Sequence, residues 1–211
     1  MQDTISTIKS NFFANLVVAM SLIIVLANIG SNKITIFMGL PIDCGFIFFP
    51  LTYLVVDIAN ERYGVAEARA LVWYGFITSF VVAIGIFFIK IMPEYSDWHN
   101  QDALNKFFEL SLRVASASLT SYLIGLYLNT YIFTYFKERC AKLGVMARFF
   151  FSTAISAFIE NSLFYFLAFY GLIGMKQLIS MIILQYIVKI IYNLFCSYIA
   201  IKLFIPNKQV G

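Results

Sequence analysis

The feature that most limits what this chain can become is a succession of apolar runs, each close to the length that crosses a bilayer. They fall at 12–30, 44–63, 70–92, 112–135, 147–171 and 177–204. About twenty consecutive apolar residues span the hydrocarbon layer as a helix, and backbone groups there must be bonded within their own segment. The pattern predicts an all-α membrane protein with six transmembrane helices, forming a single integral membrane domain over 1–211. Composition agrees, because 61% of the residues are hydrophobic and only 12% are charged, where a soluble domain carries about 25%. The first run is too long for a signal-peptide core and no small-residue cleavage site follows it, so it reads as a retained span. The lipid bilayer is therefore the first partner the sequence implies.

Loop charge orients the spans. With the N-terminus inside, the cytoplasmic segments hold Lys9, Arg62, Arg69, Lys137, Arg139, Lys142, Arg148, Lys202 and Lys208. The outer side holds Lys33, Lys90, Lys106, Arg113 and Lys176. Nine against five places both termini in the cytoplasm, and it accounts for the net charge of +4 without a nucleic-acid partner. Cys44, Cys140 and Cys196 are odd in number and far apart, which suggests neither a disulfide framework nor a zinc site. The one histidine, His99, lies in an outer loop with Tyr95 and Trp98 and reads as part of an interfacial belt. No metal site, cofactor or catalytic constellation is indicated, so an enzyme is not expected.

Against this apolar background the stretch Gly45–Arg69, GFIFFPLTYLVVDIANERYGVAEAR, stands out. Pro50 interrupts it and Asp57 lies inside it, with Glu61 one turn later on the same helix face. A carboxylate within a membrane helix is costly, faces protein or water, and is a functional candidate by default. Glu61 can instead lie at the water interface, which leaves Asp57 as the buried acid. Backbone groups freed near Pro50 need a neighbouring helix or a cavity.

Other costly groups sit at matching depths. Glu160 lies about 18 Å into the fifth span and Lys189 at a similar depth in the sixth, while Asp57 is about 9 Å from the cytoplasmic end of the second. Asn129 falls in the inner part of the fourth span, Asn28 and Arg113 lie nearer the outer face, and Asn161, Gln185 and Asn193 accompany them. Glu160 and Lys189 can neutralise each other as structural glue, or line a midplane site. Three ionisable residues with several amides exceed what glue requires. Such a set suits a flat, polar, neutral or weakly cationic ligand: carboxylates accept from ring N–H and amino groups, and Lys or an amide donates to a ring carbonyl. Phe164, Tyr165, Tyr127 and Tyr192 are available to stack on it.

With these residues placed, the chain resembles the queuosine precursor transporter family, six-span inner-membrane proteins of bacteria. The most specific part of the resemblance is the ordered set Gly45, Phe49, Pro50, Leu51, Asp57, Glu61, Tyr63, Gly64, Ala68 and Arg69. Further matches are Arg113, Ala115, Ser118, Gly125 and Asn129 in RVASASLTSYLIGLYLN, Phe164, Ala168 and Phe169 in IENSLFYFLAFYG, and Lys189 near Tyr186. The resemblance implies uptake, across the bacterial inner membrane, of small-molecule 7-deazaguanine bases such as the 7-cyano and 7-aminomethyl precursors of queuosine. The chain departs from the family at Glu160-Asn161, where Asp-Thr or Asp-Ser is usual, at Leu126, where Gln is frequent, and around Cys196-Ser197, where a proline is missing. A longer acid and a lost amide suggest a differently sized base, including queuine.

The resulting expectation is a substrate site of Glu160, Asn161, Lys189, Asn129, Asp57, Glu61 and Phe164. Glu160 and Asn161 hold the ring-nitrogen edge, Lys189 or Asn129 donates to the ring oxygen, and Asp57 and Glu61 bind or guard the cytoplasmic exit. Glu160 and Asp57 are the candidates for proton coupling, with facilitated diffusion equally open, and the sequence leaves a homo-oligomer open. The competing reading is a substrate-binding membrane subunit of an ATP-driven vitamin-type importer. Ala14 and Ala19 in the first span miss the AxxxA spacing such subunits use for coupling.

Overall fold

The computed structural model describes residues 2–95, 99–140 and 143–204, with side chains from residue 12 onward except 196, 197 and 199–204. Trp98, Lys142 and Lys208 lie outside the described residues, as do the side chains of Lys9, Cys196 and Lys202. Helices α1 (Gln2–Gly30), α2 (Phe49–Arg62), α3 (Val65–Lys90), α4 (Gln101–Arg139), α5 (Val145–Phe169) and α6 (Met175–Phe204) form the fold. Strands β1 (Ile34–Phe37) and β2 (Leu40–Asp43) and a 3-10 turn, Cys44–Ile47, join α1 to α2. The class is that of an all-α membrane protein, with this hairpin as an addition the apolar pattern did not announce.

Among the described residues, five helical segments are long and apolar enough to cross a membrane: Phe12–Gly30, Cys44–Arg62, Val65–Lys90, Val145–Phe169 and Met175–Phe195. The sixth helix, α4, carries Ser118, Thr120, Ser121, Asn129 and Thr130 through its middle and is less apolar. It also begins at Gln101, well before the expected 112, because QDALNKFFEL is polar enough to read as loop yet continues the same helix.

The hairpin turns on Met38 and Gly39, both with positive φ, 52° and 80°. That is the geometry of a two-residue turn whose twist matches the strands, and only Gly39 adopts it without strain. Ile36, Met38 and Leu40 are exposed, whereas Ile42 and Asp43 at the end of β2 are buried. The hairpin thus stands over one end of the bundle, with the base of β2 sunk into it.

Pro50 does not interrupt a helix here. It occupies the first turn of α2, where a missing N–H costs no hydrogen bond and the fixed φ favours helix. What precedes it is the 3-10 turn, so the second span is composite and α2 itself is only about 21 Å long. Eleven of its fourteen residues are buried, including Tyr53, Asp57, Asn60 and Glu61. Among these segments this span is the most enclosed, at 67% buried against 17% for the more apolar α3. Lipid-facing positions take the apolar residues, and the polar ones face protein.

Apolar packing brackets a polar interior. One cluster joins α1, α2, α3 and α4 around Met20, Tyr53, Leu71 and Leu126. A second joins α4, α5 and α6 around Val114, Tyr165, Phe169 and Met181 at the hairpin end. A third, Phe133, Val145 and Phe149, closes the opposite end.

Candidate functional site

The site is built on one face of α2. Tyr53, Asp57 and Glu61 recur every four residues, so they stack along that face and look toward α4, α5 and α6. α4 comes close because residue 125 is glycine: a Cβ there would lie 2.5 Å from Glu160 Cβ and 2.7 Å from the Tyr53 hydroxyl.

At mid-bundle, Glu160 on α5 pairs with Lys189 on α6, and both are almost wholly buried. Lys189 also donates to Asn161 Oδ1 at 3.0 Å. The ammonium lies 4.5 Å from the centre of the Tyr53 ring and 5.1 Å from that of Phe49. Tyr53 donates to Glu160 Oε2 at 3.4 Å. Phe164 reaches this group through Phe49, ring to ring at 6.1 Å. The Asn161 amide uses its oxygen on Lys189, while its Nδ2 is buried without a hydrogen-bond partner. Gln185, one turn before Lys189 on α6, likewise keeps a buried Oε1 without a partner. Buried polar atoms left unbonded cost free energy, so both are available to a hydrogen-bonding group.

Further along α2, Asp57 accepts from Asn129 Nδ2 at 2.6 Å, and Asn129 Oδ1 accepts from Ser156 at 3.2 Å. At the end of α2, Glu61 pairs with Lys137 and Arg148, each at 3.5 Å. Lys137 also donates to the carbonyls of Asn60 and Glu61 at 3.0 and 3.1 Å, closing the C-terminus of α2. A basic group suits those last carbonyls and the negative helix end.

At the hairpin end, Asp43 accepts from Ser31 Oγ at 2.6 Å, from the Gly45 amide at 2.9 Å and from the Tyr165 hydroxyl. Burial pushes its carboxyl above the usual range, and the three hydrogen bonds oppose that shift. Arg113 donates to the carbonyls of Leu167 and Tyr170 and so closes the end of α5.

Of the expected site residues, Glu160, Asn161, Lys189 and Phe164 come together. Asn129 lies one turn beyond Gly125 on α4 and donates to Asp57 at 2.6 Å, which leaves the second N–H of its amide for another acceptor. Glu61 is buried at the far end of α2 with two cations, and not at an open interface. Tyr165, a stacking candidate in the sequence, serves Asp43 instead, and Tyr127 packs edge-on against Trp73. Sequence reasoning missed Tyr53 and Phe49 as walls of the central group, Asp43 altogether, and Arg148 as a partner of Glu61. Tyr53 carried a signal, since it precedes Asp57 by one turn on the same face.

The profile described as "Putative vitamin uptake transporter" matches residues 43–203. The "Probable queuosine precursor transporter" of Bacillus subtilis (strain 168) is 28% identical over 189 residues, 88% of this chain and 82% of that protein. No solved structure matches significantly. The matched segment opens at Asp43 and contains every residue of the central group. On this evidence the chain belongs to the putative vitamin uptake transporter family: it is a multi-pass membrane transporter, which in a bacterium resides in the inner membrane, and not an enzyme.

Proposed function

We propose that this chain imports a queuosine precursor, a 7-deazaguanine base used in tRNA modification, and that Glu160, Asn161 and Lys189 form its site at mid-bundle. The observation that carries the reading is the central group itself: a carboxylate, an ammonium and an amide with a spare donor, walled by aromatic rings and shut away from lipid. A carboxylate accepts from the N–H and amino groups of such a base, and the spare amide donor suits its ring oxygen. Phe49, Tyr53 and Phe164 supply apolar faces for a flat ring. The name of the Bacillus relative points to the same class of cargo.

In this proposal all six helices cross the bilayer and both termini are cytoplasmic, as the loop charge indicates. The hairpin and Asp43 then lie at the outer end, and Glu61 with Lys137 and Arg148 at the cytoplasmic end.

The test is uptake by a bacterium unable to make queuosine precursors and deleted for its own transporter. It expresses this chain and is fed the 7-cyano base, the 7-aminomethyl base or queuine, the last in a host with an enzyme able to insert it. Queuosine appearing in tRNA with one of these bases supports the reading. Its absence with all three, with the protein in the membrane, sinks it. Import by the purified chain alone in liposomes separates a self-sufficient transporter from a subunit that needs an ATP-hydrolysing module. Coupling to protons is assigned to Glu160 and Asp57. Liposome uptake that ignores an imposed pH gradient removes that assignment and leaves facilitated diffusion.

A further inference from the structure

We infer that the central group is an ammonium cage which Lys189 fills in the absence of cargo, and that the preferred cargo brings an ammonium group of its own. The inference rests on the transport reading above and adds to it the charge of the base.

Lys189 Nζ has the surroundings of a bound ligand. A carboxylate and an amide oxygen hold it, and two aromatic faces flank it at 4.5 and 5.1 Å. A carboxylate with aromatic faces is the combination that recognises ammonium ions. The walls come from α2 and α5, through Phe49, Tyr53, Glu160 and Asn161, whereas the ammonium comes from α6. Withdrawal of Lys189 therefore leaves the cage standing.

The charge balance points the same way. Asp43, Asp57, Glu61 and Glu160 are buried, and Lys189 is the one buried cation among the described residues. Acids are in excess, so a second ammonium is accommodated where a second carboxylate would be repelled. A neutral base that displaced Lys189 would strand Glu160 as a buried charge without a counter-ion. An ammonium-bearing base exchanges like for like. The unpartnered Asn161 Nδ2 sits beside the cage, placed for the ring oxygen of the same ligand.

The experiment is competition for uptake in the host described above, between the ammonium-bearing 7-aminomethyl base and the neutral 7-cyano base. The wild-type chain is expected to favour the 7-aminomethyl base by about tenfold or more, the scale of a desolvated cation–π contact. Replacing both cage faces, Phe49→Leu with Tyr53→Leu, is expected to slow both bases but the 7-aminomethyl base about tenfold more, so that the preference collapses. Lys189→Met, which removes the resident ammonium, is expected to lower KM for the 7-aminomethyl base and not for the 7-cyano base. Equal entry of the two bases into wild-type cells, or an unchanged ratio in the double variant, overturns the inference while leaving the transport reading intact. Entry of neither base overturns the inference, and failure of queuine as well takes down the transport reading.

Discussion

Two acid–cation clusters lie along the same face of α2 and have lost water to different degrees. In the central one the side chains of Glu160 and Lys189 are 2% and 1% exposed. In the terminal one Glu61 is 3% exposed, but its partners Lys137 and Arg148 remain 31% and 12% exposed. A fully desolvated pair is held by the cost of leaving either charge alone. A pair whose cations keep contact with water gains little from closing and loses little by opening. Breaking the central pair therefore costs more than breaking the pair at the end of α2.

The largest expected effect breaks the central pair. Glu160→Gln or Lys189→Met leaves a buried charge without its partner and is expected to lower stability by about 3–5 kcal/mol. The double variant Glu160→Gln with Lys189→Met is expected to recover most of that stability, measured as Tm in detergent, while still lacking the carboxylate that uptake requires. A double variant as unstable as the singles would mean that packing, and not the charge, accounts for the loss.

A smaller effect is expected from Gly125→Ala, which presses a methyl group toward Glu160 and Tyr53. Overpacking of this kind costs about 1–3 kcal/mol, and because it pushes α4 away from the cage it is expected to reduce uptake more than stability alone explains. Normal uptake in this variant would show that α4 can shift without disturbing Glu160.

The terminal cluster is expected to respond less. Glu61→Gln removes an ion pair whose cations are partly solvated, worth about 1 kcal/mol or less. Raising the salt concentration is expected to narrow the Tm difference between this variant and the wild-type chain, whereas the loss in Glu160→Gln is expected to persist in salt. A salt-independent Glu61 effect as large as that of Glu160 would erase the distinction between the two clusters.

What the sequence disclosed follows the same division. Asp57, Glu61, Glu160 and Lys189 were legible because a charge inside an apolar run has few explanations. Depth alone brought Glu160 and Lys189 together before any geometry was known. The hairpin was not legible: Met38-Gly39 lacks the Asn-Gly or Asp-Gly signature of its turn, and four-residue strands have too few positions to show alternation. Asp43 was lost with it, since a carboxylate just ahead of an apolar run looks like a loop residue until β2 carries it under Tyr165. Pro50 was misread because proline marks a helix start and a helix break alike, and only the 3-10 turn before it decides. Phe49 and Tyr53 were hidden by abundance, in a chain with 23 phenylalanines and 13 tyrosines.

Tyr53 is also where the smallest effect is expected and where the comparison can be sharpened most. Its ring flanks Lys189, while its hydroxyl meets Glu160 at 3.4 Å, near the limit of a hydrogen bond. Tyr53→Phe keeps the ring and removes the long bond, so it is expected to cost about 0.5 kcal/mol and to change uptake about twofold. Tyr53→Leu removes the ring as well and is expected to cost distinctly more, which assigns the residue's contribution to its face. The opposite ranking would mean that the hydroxyl links Glu160 to the Ser156, Asn129 and Asp57 chain below it. The two clusters on α2 would then be one connected path, and the central pair could not open without the far end responding.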